Sequence, residues 1–151
     1  MKTLIICESV HHGNTKKIAD AMAAELNADI KKPGEVDLGK IGEYDLIGFG
    51  SGIYMGKLHK NLLKLADNLP EAGKKSFIFS TAGGDNENMK NHKALKDKLT
   101  SKGFKVADEF TCRGFDTFGP LALIGGLNKG KPDEKDLESA RQFAARLKSS
   151  K

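Results

Sequence analysis

The chain has 151 residues, 38% hydrophobic and 30% charged, with a net charge of +5 from 25 basic and 20 acidic residues. That length suits one domain spanning residues 1–151, and that composition suits a soluble globule rather than a disordered chain. It excludes a membrane span, because the longest apolar runs are strand length, and it argues against nucleic-acid binding, because there is no tryptophan, two tyrosines and no basic run with interleaved aromatics.

The first apolar run, residues 2–7, reads as a strand; it is too short for a signal peptide and Glu8 follows it, so a cytoplasmic location is expected. Residues 14–26 then place Ile18, Ala19, Met22, Ala23 and Leu26 on one helical face. Residues 28–31 are a short strand at a sheet edge, ended by Pro33-Gly34. Residues 44–50 read as a buried strand, and Leu58, Leu62, Leu65, Ala66 and Leu69 follow at helical spacing until Pro70. Another buried strand covers residues 76–80. A lysine-rich helix over 90–102 packs through Leu95 and Leu99 and stops at Gly103.

Phe104, Val106, Phe110 and Cys112 alternate with polar residues, as in a half-exposed edge strand. Residues 114–130, with five glycines and Pro120, have the length of a functional loop. The last helix, 133–148, presents Leu137, Ala140, Phe143, Ala144 and Leu147 to the core. Strand and helix alternate throughout, which predicts an α/β fold with a doubly wound parallel sheet.

Cys7 and Cys112 do not make a disulfide framework and read as small buried hydrophobes. Lys90, Lys93, Lys96, Lys98 and Lys102, set against one acid, Asp97, make either a solvated helix face or a docking face for an acidic partner.

In such sheets ligands bind at the C-terminal ends of the strands. After the first strand comes Ser9-Val10-His11-His12-Gly13-Asn14-Thr15-Lys16, a strand-to-helix turn. Free N–H groups and the positive end of the helix dipole suit an anion there, usually a phosphate. Ser9, Asn14 and Thr15 add side-chain donors, and Gly13 lets the backbone come close. The alternative is a surface turn capped by Asn14 or Thr15. After the third strand comes Ser51-Gly52-Ile53-Tyr54-Met55-Gly56-Lys57, and after the fourth Thr81-Ala82-Gly83-Gly84-Asp85-Asn86. A phosphate turn, an aromatic platform and a glycine-rich polar loop describe a site for a flat, phosphorylated ligand.

Together these three segments resemble the flavodoxin family over nearly the whole chain. Ser9 to Thr15 looks like its FMN phosphate loop, and Tyr44-Asp45-Leu46-Ile47-Gly48-Phe49-Gly50-Ser51 like the strand entering its second flavin loop. The resemblance implies a three-layer sandwich: a five-stranded parallel sheet in the order 2-1-3-4-5 with helices on both faces. It implies FMN, with Ser9, Gly13, Asn14 and Thr15 at the phosphate; His11 and His12, standing where hydroxyl residues are expected, either donate to the phosphate or have one of them facing solvent. It implies Ser51, Gly52, Ile53, Tyr54, Met55 and Gly56 in the second loop. Tyr54 or Met55 would lie on one flavin face, and the 55–56 peptide near N5, where a glycine permits a peptide flip. Thr81, Ala82, Gly83, Gly84 and Asp85 would line the pyrimidine edge.

Asp85 is a candidate negative charge near N1, or a surface loop carboxylate. Phe115 or Phe118 could cover the outer flavin face. The implied activity is low-potential electron transfer between redox proteins, a ferredoxin-like protein or a reductase, with a monomer expected. Carrier flavodoxins are commonly acidic and this chain is basic, a departure that bears on the partner and leaves an acidic one as the candidate.

Three other readings compete. Ile53 to His59 is also similar to the second loop of flavodoxin-like protoporphyrinogen oxidases, which makes His59 a candidate substrate contact; quinone reductases are a related option. A receiver domain needs an acidic pair after the first strand and an aspartate after the third, where this chain has Glu8 alone and Ser51. A metal site from His11, His12, His59 and His92 lacks a supporting cysteine or carboxylate cluster, and Gly48, Gly50 and Gly52 fit close strand packing better than a dinucleotide fingerprint.

Overall fold

Three strands that are apolar on both sides form the middle of the sheet, because only a two-sided burial satisfies them. They are β1 (Thr3–Glu8), β3 (Leu46–Tyr54) and β5 (Lys75–Ala82). The computed structural model describes residues 1–9, 13–54, 56–82, 87–113 and 132–149. Among these, β2 (Asp29–Lys31) and β6 (Lys105–Arg113) form the two edges of a parallel sheet in the order β2-β1-β3-β5-β6. This is the order expected from the sequence. The addition is β4 (Lys57–Leu58), a sixth strand pairing antiparallel with the end of β3 through Ile53–Leu58 and Tyr54–Lys57.

The helices cover both faces. On one side α1 (Asn14–Leu26) and α4 (Glu134–Ser149) bury Ile18, Met22, Leu26, Phe143 and Leu147 against Ile5, Phe77 and Phe79. On the other, α2 (Lys60–Asp67) and α3 (Lys93–Ser101) bury Leu62, Leu65, Leu95 and Leu99 against Leu4, Ile6, Ile47, Phe49 and Ile78. The inner faces of α1, α3 and α4 are those their apolar spacing predicts.

The strand glycines are explained by ring packing. A Cβ on Gly48 would lie 2.2 Å from the Phe77 ring, and one on Gly50 2.2 Å from the Phe79 ring. The two rings from β5 thus lie across the bare backbone of β3, and Phe77 meets Phe143 of α4 edge-on at 5.9 Å between centroids. The spacing reflects close strand packing, as expected.

Two expectations need correction. Leu58 is not on a helix. Its spacing to Leu62 and Leu65 continues that helix's apolar stripe, but it is buried from β4 instead, and the helix starts at Lys60. Nor do the alternating apolar residues of the edge strand share one face. Ser76 pairs with Val106 and Phe77 with Asp108, so β6 spends an extra residue between them. A bulge of this kind inverts the side-chain direction beyond it. Phe104 and Val106 therefore pack with α2 and α3, while Phe110 and Cys112 pack with α1 and α4.

Candidate functional site

The ends of β1, β3 and β5 lie side by side, so whatever follows them converges at one edge of the sheet. The first component is the start of α1. Gly13 is its cap residue, in the left-handed region at φ 63°, and makes no side-chain capping bond. Asn14 and Thr15 are the first helical residues rather than caps. Among the described residues beyond its chain neighbours nothing lies within 4 Å of where a Gly13 Cβ would be, and the first turn carries no acidic residue. The Lys16 backbone N–H donates to Ser9 Oγ at 3.2 Å, closing the turn. An anion fits this geometry. Val10, His11 and His12 lie outside the described residues.

Thr15 points inward, not to solvent. It is 2% exposed, and its hydroxyl lies 2.8 Å from that of Thr81 at the end of β5. Thr81 and Ala82, expected in a loop, are the last residues of β5. The phosphate-type turn and the third loop are therefore tied by one buried hydrogen bond. Gly83, Gly84 and Asp85 lie outside the described residues, as do Phe115, Phe118 and the whole of 114–130.

The second expected loop is largely a hairpin. Ser51, Gly52, Ile53 and Tyr54 extend β3, and Lys57 and Leu58 return along it. The Ser51 hydroxyl is buried; it donates to the Gly52 carbonyl at 2.7 Å and accepts the His59 N–H at 2.9 Å. Tyr54 folds back over Gly52, where a Cβ would approach its hydroxyl to 3.0 Å. Gly56 has φ 80°, a conformation that favours glycine; Met55 lies outside the described residues.

His59 caps α2: its Nδ1 accepts the Asn61 N–H at 3.0 Å, and its ring meets Tyr54 edge-on at 5.2 Å. Asn61 Nδ2 also donates to Glu8 at 2.8 Å, joining the end of β1 to α2. A groove of about 340 Å³ runs beside this hairpin, lined by Tyr54, Lys57, Leu58, His59, Lys60 and Leu63.

Sequence reasoning missed one cluster. His92 is fully buried at the end of a 3-10 turn, Glu87–His92. Its Nε2 lies 2.7 Å from Ser80 Oγ and its Nδ1 3.1 Å from Glu109 Oε1. Thr111 Oγ1 lies 2.9 Å from Ser80 Oγ, and Lys96 donates to the other Glu109 oxygen at 3.2 Å. Burial pushes the His92 pKa down, more than Glu109 pulls it up, so the ring is neutral at pH 7. Ser80 and His92 have no exposed surface, which rules out attack on a substrate. The sequence signal, polar Ser80 in an apolar strand, was there, but its partners come from two other elements.

No group of three or more metal-ligating side chains occurs among the described residues, and none of their helices is long and apolar enough to cross a membrane. The lysine-rich helix is less bare than its sequence suggests. Lys93 pairs with Asp97 at 2.7 Å, Lys96 with Glu109 at 3.2 Å and Lys98 with Asp67 at 2.6 Å.

A doubly wound α/β protein with a glycine-capped helix start, an aromatic hairpin and the end of β5 side by side at one sheet edge is the class this geometry defines. Residues 4–119 match the family model described as a flavodoxin domain, and the chain belongs to the flavodoxin family. It is 52% identical over 144 residues to the uncharacterized protein MJ0298 of Methanocaldococcus jannaschii, covering 95% of this chain and 96% of that protein. It is similar in fold to oxidised Flavodoxin 2 from Bacillus cereus, with a TM-score of 0.70, 22% identity and 95% of each chain covered. Rubredoxin oxygen:oxidoreductase from Desulfovibrio gigas matches at a TM-score of 0.71 and 18% identity, over 97% of this chain and 35% of that one. At these identities the structural matches speak for the fold.

Proposed function

We propose that this protein binds FMN non-covalently and carries electrons between redox proteins, as a single-domain monomer in the cytoplasm. The observation that supports the reading is the Thr15–Thr81 hydrogen bond at 2.8 Å, which fastens the start of α1 to the end of β5, where the third loop begins. Bound FMN supplies one- and two-electron transfer. The chain's part is to hold and orient it. The N–H groups at the start of α1, those of Gly13, Asn14 and Thr15 among them, receive the phosphate together with Ser9, while the Thr15 hydroxyl stays on Thr81. Tyr54 flanks the ring system, Gly56 gives its neighbouring peptide a choice of orientations, and Thr81 and Ala82 bring backbone groups to the pyrimidine end. His11, His12, Ser51, Gly52, Ile53, Met55, Gly83, Gly84 and Asp85 complete the proposed contact set. An acidic redox protein, ferredoxin-like or a reductase, is the proposed partner of a chain with a net charge of +5.

The groove beside Tyr54 and His59 favours a second reading, a small FMN-dependent oxidoreductase of the quinone reductase or protoporphyrinogen oxidase kind. A visible spectrum of the purified protein, with the chromophore released by acid and identified, tests the cofactor. FMN at about one per chain supports the reading, and a colourless protein that does not take up added FMN overturns it. Steady-state turnover of NAD(P)H with a quinone selects the enzyme over the carrier.

A further inference from the structure

The lysines of this chain fall into two sets with different surroundings. On α3, three are paired within the fold: Lys93 with Asp97, Lys96 with Glu109 and Lys98 with Asp67. Exposed pairs of this kind add little stability, but each cancels its own field at a distance. Asp67 is the one acidic residue of α2, so its bond to Lys98 leaves α2 with its cations alone. Lys57, Lys60 and Lys64 are exposed, and among the described residues none of the three makes an ion pair.

Their placement is electrostatically unfavourable in the isolated protein. Lys60 is the first residue of α2, where the positive end of the helix dipole already stands, and the first turn carries no acid. Lys60 and Lys64, four positions apart, form a like-charge pair on one helical face. Glu8, at the end of β1, accepts from Asn61 Nδ2 at 2.8 Å and makes no ion pair with either lysine. Local charge that opposes its own fold is relieved by a partner of opposite sign.

An apolar groove lies against this face. Lys57 and Lys60 line its volume of about 340 Å³ together with Tyr54, Leu58, His59 and Leu63. An apolar centre rimmed by charge is the anatomy of a protein interface. Lys64 does not line the groove, so the positive face continues about 6 Å, one turn of helix, beyond it. A small molecule seated in the groove leaves Lys64 uncovered, whereas a protein surface covers all three lysines.

Resting on the carrier reading above, we propose that the face formed by the β3–β4 hairpin and α2 is where an acidic redox protein docks. Its carboxylates meet Lys57, Lys60 and Lys64, and one of its apolar or aromatic side chains enters the groove. Tyr54 belongs both to that groove and to the proposed flavin contacts, so docking there brings the partner to the edge of the ring system. The lysine-rich α3, which the sequence offers as a docking face, takes no part.

The test uses the full chain, a small acidic iron–sulfur ferredoxin as the probe, and two triple variants. Lys57→Gln/Lys60→Gln/Lys64→Gln removes three charges from the hairpin and α2. Lys93→Gln/Lys98→Gln/Lys102→Gln removes three from the region of α3. Each lowers the net charge from +5 to +2, three lysines fewer, so a difference between them reads position and not total charge. Affinity is measured by calorimetry at low and high salt. Broadening of amide signals by the probe's iron locates the contact on the parent.

The first variant is expected to lose about tenfold or more in affinity at low salt and the second less than about twofold, the two converging at high salt. In the parent the amides of 57–64 broaden and those of 93–101 do not. Equal losses, or a larger loss in the α3 variant, overturn the proposal, and so does a parent that does not bind the probe. Anthraquinone-2-sulfonate binding in the groove with no ferredoxin binding assigns the groove to a small molecule and overturns it as well. Each measurement is made with and without FMN. If the protein takes up no FMN the flavin reading fails, while the broadened amides still decide the docking face.

Discussion

The hydroxyls of Thr15 and Thr81, which lie 66 positions apart in sequence, meet at 2.8 Å in the interior. One belongs to α1 near its N-terminus, the other to the end of β5. Thr81→Val keeps the shape and removes the partner, leaving the Thr15 hydroxyl buried and unmet. Urea unfolding is expected to show a loss of about 1–3 kcal/mol. FMN titration is expected to show weaker binding in the same variant, because the two loops lose their tie. An unchanged midpoint and unchanged affinity would mean that the bond is incidental.

Gly50→Ala places a methyl group 2.2 Å from carbons of the Phe79 ring. Strand β3 has no room to retreat, since it is paired on both sides. Overpacking of this kind costs about 1–3 kcal/mol. Adding Phe79→Leu to the same protein is expected to recover part of that loss in urea, whereas Phe79→Leu alone destabilises.

The fold holds His92 neutral, because burial lowers its pKa below the ordinary 6.5. In the unfolded chain the ring takes up a proton as pH falls through 6.5, while in the folded chain it does not. The unfolded state then binds more protons, so the stability contributed by the neutral ring is present above 6.5 and declines as pH falls towards the folded pKa. Below the folded pKa the decline stops. Urea midpoints measured from neutral to mildly acidic pH are expected to fall more steeply for the parent than for His92→Gln. Parallel slopes would show that other groups set the acid response.

Cys7 is a buried thiol on β1 whose pKa is pushed up to about 12, first by burial, then by Asp20. The thiolate is the reactive form. An aromatic disulfide reagent at mildly alkaline pH is expected to leave Cys7 unmodified in the native protein and to modify it once urea unfolds the chain. Peptide mass mapping locates the label. Rapid native labelling at Cys7 would contradict the burial.

Gly56 holds φ 80°, and among the described residues beyond its chain neighbours the one atom within 4 Å of its missing Cβ is Asn91 Oδ1 at 3.8 Å. An alanine there is strained by its backbone, not by crowding. Gly56→Ala is expected to cost about 1 kcal/mol in stability and to change the two one-electron potentials of the FMN-loaded protein. Potentials identical to the parent's would remove the peptide at 55–56 from any role in tuning the flavin.

Much of this was legible in the sequence. The apolar runs of β1, β3 and β5 marked the buried middle strands, because strands buried on both faces leave no polar alternation to misread, and the order of the strands came from the family resemblance. The strand-end rule then brought Ser9, Thr15, Ser51, Tyr54 and Thr81 to one edge. Other features were hidden for identifiable reasons. Leu58 continues a helix's spacing although a hairpin buries it, since periodicity reports a buried face and not the element that supplies it. The bulge in β6 leaves the sequence alternation intact while reversing its meaning. The His92 cluster draws on Ser80 and Glu109, 12 positions before and 17 after it, and nothing local announces that these will meet.

Ser51 fixes the foot of the hairpin with one hydroxyl, bridging its own strand and the amide that opens α2. The parallel register ends at Gly52, and beyond it Ile53 and Tyr54 pair with Leu58 and Lys57 of the hairpin's return strand. Residues exchanged beyond Gly52 therefore meet a ladder of two residue pairs and not the five-strand register beneath it, so the scaffold can be carried over whole.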